Sequence, residues 1–139
     1  MLTGFLHLHS YFAYLVLALL VISVIVALLN VAGNKPFGSL SKISKFAMIA
    51  THTQFLVGII LYVMEGRYVD MGEKMGISSE RLLALEHPLM MLVGIVLITV
   101  GNSKAKKAQT DAQKNKSILV FFGLGLICIL ARIPWSNWL

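Results

Sequence analysis

Charge is the scarcest property of this sequence: only 13% of its 139 residues are Asp, Glu, Lys or Arg. A soluble globule of this size needs about twice that share to cover its surface, so a free-standing water-soluble domain is not expected. Cysteine is nearly absent as well. The one copy, Cys128, stands inside an apolar run, can close no internal disulfide, and reads as a small packing residue. The sequence also lacks a nucleotide-binding glycine loop, a nucleophile with an adjacent base, and a carboxylate pair suited to acid–base work. Those gaps leave the question of an enzyme open and point more to an electron-transfer or accessory subunit. The apolar N-terminal stretch lacks a small-residue cleavage site and is long enough to span, so an uncleaved helix is expected rather than a signal peptide.

What the sequence has is hydrophobicity, 58% of its residues, with a mean hydropathy of +0.82. Four apolar stretches stand out, Leu8 to Leu29, Phe46 to Met64, Leu82 to Val100 and Ile118 to Pro134. At about 1.5 Å per residue each comes close to the roughly 30 Å of hydrocarbon in a bilayer. Backbone polar groups in lipid must bond within their own segment, so each stretch is expected to be a helix. The expected fold is therefore all-α, a single integral membrane four-helix bundle over residues 1–139, antiparallel and up-down.

Charge distribution supplies the orientation. The net charge of +6 could suggest nucleic acid. Eight of the twelve basic residues, however, are Lys35, Lys42, Lys45, Lys104, Lys106, Lys107, Lys114 and Lys116, which fall in the two loops after the first and third spans. That is the positive-inside pattern, so these loops are expected in the cytoplasm and both termini on the other side. Multi-pass membrane insertion, contact with lipid and no nucleic-acid partner follow. Trp135 and Trp138, with Tyr62 and Tyr68, suit the outer aromatic belt. Gly33 to Ser39 is a polar turn, and Asn102 to Ser117, rich in Lys, Ala and Gln, is expected to prolong helix past the apolar span. Gly58, Gly94, Gly123 and Gly125 are candidates for close approach between spans.

Ionisable groups within spans are costly and mark candidate sites. They are His7 and His9 at the start of span one, His52 in span two beside Thr51, Thr53 and Gln54, Glu86 and His87 in span three, and Arg132 after span four. Histidines on three helices, without a competing cluster of Cys or carboxylates, suit a site assembled between helices, and haem b is the economical ligand. Two axial imidazoles must sit at one depth. Residue counting makes His9 and His87 nearly level and puts His52 deeper, so His9 with His87 is the preferred pair, with His52 still open. Pro88 is expected to open or kink the helix beside His87 and free a carbonyl there.

Plainer roles stand beside these. His7 can be interfacial at a frayed end, and His52 can cross-link helices by hydrogen bonds. Glu86 is either an outward carboxylate or an imidazole holder. Arg132 either snorkels to headgroups or pairs with a haem propionate.

Leu6-His7-Leu8-His9-Ser10, Thr51-His52-Thr53-Gln54-Phe55-Leu56-Val57-Gly58 and Glu86-His87-Pro88-Leu89-Met90-Met91, followed by Gly101-Asn102-Ser103-Lys104-Ala105-Lys106-Lys107, together resemble the short bacterial four-helix membrane proteins labelled cytochrome b-like. The likeness covers nearly the entire chain. It implies a haem b site using His9, His52 or His87, and electron transfer in a respiratory chain with quinone as a candidate partner. Histidine-bearing bundles also occur in haem A synthase and in dihaem b-type cytochromes. This chain lacks the doubled helix set of the first, and its histidines are too few for the paired sites of the second. Two other classes remain: a cofactor-free accessory subunit of a larger complex, and a copper or other metal site gathering His7, His9 and His87. The last requires the chain before Ser10 to be non-helical, because residues two apart on a helix face different ways. Further respiratory subunits or a second copy are the candidate protein partners.

Overall fold

The computed structural model describes residues 1–138, and every regular element among them is helical. Four long helices make up the body: α1 (Leu2–Ala32), α2 (Gly38–Met64), α4 (Ser78–Lys107) and α5 (Asp111–Ala131). All four are long and apolar enough to cross a membrane. One-turn helices α3 (Met71–Lys74) and α6 (Trp135–Trp138) fill the connection after α2 and the C-terminal end. Each helix outruns its apolar stretch. The polar flanks continue the backbone ladder, so only Ala108 to Thr110 interrupts helix between α4 and α5. The fourth helix is the exception: it stops at Ala131 rather than Pro134, because Pro134 disfavours helical geometry at Ile133.

The helices run antiparallel in sequence order, and α5 returns to pack on α1, closing a ring in which the α2–α4 seam is the thinnest. Two glycines bring the α4 and α5 backbones close together. A Cβ on Gly94 of α4 would lie 3.3 Å from the Gly125 carbonyl oxygen, and one on Gly125 would lie 3.1 Å from that of Gly94. Gly123, expected to serve the same purpose, faces open space and plays no part. Gly66, at a φ of +65°, turns the chain after α2, a backbone conformation that costs glycine little.

The two ends of the bundle differ. Leu20, Ala27, Leu40, Ala47, Ile98, Ala105, Ile118 and Phe122 are sealed from solvent, and all lie in the half nearer the lysine-rich connections. That half is also tied by polar groups. Asn30 Nδ2 donates to Asn115 Oδ1 at 3.1 Å, Asn115 Nδ2 donates to the Lys35 carbonyl at 2.9 Å, and Lys114 Nζ reaches the Ala105 carbonyl at 2.9 Å. Thr110 caps α5 by accepting from the Gln113 N–H at 3.2 Å. The other half, nearer the termini, encloses a cavity. Outward faces are mainly apolar, with Leu28, Phe46, Leu56, Leu89, Val96 and Ile127 among many exposed side chains. Ser23, Thr51 and Thr53 hydroxyls donate to carbonyls one turn back on their own helices, as hydroxyls do in apolar surroundings.

Candidate functional site

The cavity holds about 470 Å³ and is walled by α1, α2, α4 and α5, with Trp138 of α6 at its rim. Its lining is mainly apolar, including Val16, Leu17, Phe55, Met91 and Ile129, with His9, Gln54, Tyr62 and His87 among it. Such a volume and such a sparse polar set are typical of sites for small molecules and cofactors.

His87 is positioned by the helix that carries it. Pro88 has no N–H to give the Ala84 carbonyl four residues back, and the turn before it widens: Leu82–Glu86 is a π turn, closed by His87 N–H to the Leu82 carbonyl. The freed Ala84 carbonyl accepts instead from Tyr62 Oη–H on α2, at 2.8 Å. Widening by one residue swings His87 about 100° around the axis relative to an unbroken helix. Its Nδ1 lies 2.9 Å from the carbonyl oxygen of Arg132, just past the end of α5. A carbonyl only accepts, so Nδ1 carries the proton and Nε2 keeps its lone pair.

His9 faces it from α1. The two ring centroids are 6.3 Å apart and the ring planes stand at 84°. The His9 ring lies over Gly58 of α2, where a Cβ would come within 3.1 Å of Cε1. Gln54, one turn earlier on the same face, donates from Nε2 to the His9 carbonyl at 2.6 Å. Two buried atoms of this group have no partner, His9 Nδ1 and Gln54 Oε1.

The other expected residues are elsewhere. His7 is exposed and stacks edge-on with Tyr11, 6.0 Å between centroids. Because α1 is already helical from Leu2, His7 and His9 diverge, and the outer three-histidine arrangement is not assembled. His52 is also exposed; its Nε2 lies 2.8 Å from Thr99 Oγ1, about 18 Å further along α4 than His87 at ~1.5 Å per residue. Glu86 touches neither imidazole. Arg81 Nε donates to it at 2.9 Å, and Arg132 Nε stands 3.8 Å away. Arg132 therefore serves the site through its backbone carbonyl, while its exposed guanidinium faces Glu86 and the Ala131 carbonyl. Tyr62, Arg67 and Trp138 line the cavity without having been marked as site residues. Only pairing across helices reveals them, since as single residues at the end of a span they read as interfacial.

The chain matches no protein-family model, no curated protein and no solved structure.

The arrangement itself bears on what could bind. Two imidazoles that each approach one metal ion at about 2 Å put their ring centroids roughly 6 Å apart, against the 6.3 Å found here. A protonated Nδ1 on a carbonyl is the usual outer-shell partner of a ligating histidine. A flat, largely apolar macrocycle also suits a cavity with this lining. Arg67, paired with Glu65 at 2.8 Å, borders the cavity, whereas Arg132 stands outside its lining. The residues present thus fit haem b held by His9 and His87, and the geometry leaves out His52.

Proposed function

We propose that this chain is an integral membrane b-type cytochrome in which His9 and His87 would hold one haem. The observation that carries the reading is the facing pair of rings, 6.3 Å apart, in a cavity walled by four apolar helices. When bound, haem would supply one-electron chemistry. The chain's own contribution is to hold and insulate it. His87 is oriented by the Arg132 carbonyl, and Val16, Leu17, Met91 and Ile129 exclude water. Apolar outward faces and the lysine asymmetry support insertion in a bacterial inner membrane, with the lysine-rich end cytoplasmic and the haem close to the opposite face. A membrane-soluble quinol is the electron partner most compatible with that burial.

A dithionite-reduced minus air-oxidised spectrum of the detergent-purified protein tests this directly. A b-type α-band lost in His87→Ala but kept in His52→Ala is expected. A colourless protein, after expression with ample haem, refutes it. One observation favours the cofactor-free accessory subunit instead: the His52–Thr99 bond is a plain interhelical cross-link. Under that reading His9→Ala and His87→Ala change stability modestly and no spectrum.

A further inference from the structure

The two histidines are held very differently. His87 donates Nδ1–H to a backbone carbonyl at 2.9 Å, and that carbonyl belongs to a residue steadied by Glu86, which Arg81 grips in turn. His9 has no such support: its Nδ1 is buried and unpartnered. The single hydrogen bond that Gln54 gives goes to the His9 backbone, at 2.6 Å, and leaves the ring free, while Gln54 Oε1 is itself unpartnered. On that side the ring lies over Gly58, where an added Cβ would stand 3.1 Å from Cε1. Outer-shell partners of this kind are worth about tenfold to a hundredfold in metal affinity, so the two imidazoles are unequal ligands by that order.

From this asymmetry, and resting on the haem reading above, we infer that His9 is the exchangeable ligand and that the site binds a small neutral diatomic molecule in its place. The exchange breaks one bond from imidazole nitrogen to iron and forms one from the diatomic to iron, with no net electron or proton transfer. A paired bis-histidine site of equal strength on both sides would not do this.

Carbon monoxide is the probe. The dithionite-reduced protein, saturated with carbon monoxide, should show a shifted Soret band for most of its haem. Carbon monoxide affinity, read by titrating that band, is then compared across variants. Gly58→Ala presses on the His9 ring and should raise that affinity, while His9→Ala should keep haem and bind carbon monoxide fastest. Haem present but spectrally indifferent to carbon monoxide overturns the inference and leaves the haem reading standing. So does an assignment in which His87→Ala keeps haem and His9→Ala loses it. No haem in the wild-type protein refutes both.

Discussion

Single side chains at both ends of this bundle hold polar atoms that have few alternative partners. Tyr62 is the clearest case, because its hydroxyl satisfies a carbonyl that Pro88 has orphaned. Tyr62→Phe removes the donor and leaves the Ala84 oxygen unpaired, which should cost about 1–2 kcal/mol. Thermal unfolding in detergent would register this as a lowered Tm, and an unchanged Tm would mean water replaces the phenol. At the opposite end Asn115 bonds both Asn30 and the Lys35 carbonyl from a fully buried position. Asn115→Ala should destabilise by about 1–2 kcal/mol. The Asn30→Ala, Asn115→Ala pair should cost less than the sum of its singles, because they share one bond. A double-mutant cycle by denaturant titration checks both statements.

At the scale of the element, α4 is the helix that the site depends on. Its π turn exists where a missing N–H and a waiting tyrosine make the wide turn the better-bonded arrangement. Pro88→Ala restores the N–H to the ladder, and the regular α-helix then competes. The helix should be as stable or more so, since interior proline costs about 3 kcal/mol. His87 should nevertheless turn away from His9 by about 100°. The expected signature is a preserved or raised Tm with haem content reduced severalfold, read from the α-band against protein concentration. Retention of full haem would show that the π turn does not set the direction of His87. Helix α1 has a simpler task, carrying His9 near its start and lining the cavity with Ser10 and Ala13 before the sealed core begins at Val16 and Leu20.

Across the whole molecule, packing is divided between a sealed half and a hollow half. Leu20, Leu40, Ile98, Ile118, Phe122 and the Asn30–Asn115 pair fill the lysine-rich end, while the other end surrounds the cavity. In the proposed topology the hollow half lies toward the non-cytoplasmic face. Substituting Cys128 by Ala and placing single cysteines at Gln109 and at Ser79, both outside the apolar spans, gives a direct test. A membrane-impermeant maleimide added to intact spheroplasts should label the Ser79 position and spare the Gln109 position. The reverse pattern would invert the topology and move the site to the cytoplasmic side.

Much of the architecture follows from one-dimensional information. Four apolar stretches of membrane length can satisfy their backbones only as helices, and short polar connections leave sequential neighbours antiparallel. The pairing of His9 with His87 was also within reach of counting, because depth along a helix is a linear function of residue number. Azimuth is not. Whether His52 faces the axis or the outside, whether Gly58 or Gly123 receives a neighbour, and whether Glu86 reaches an imidazole or an arginine all depend on rotation about each helix. Rotation was decided by two local events with tertiary partners, the π turn locked by Tyr62 and the close Gly94–Gly125 contact. Spans that are apolar on nearly every side carry almost no periodic signal of which face turns inward. The sequence by itself therefore determined the helices, their order and the depth of the histidines. Only the packed structure decided which imidazoles meet, and that one of them is anchored and the other free.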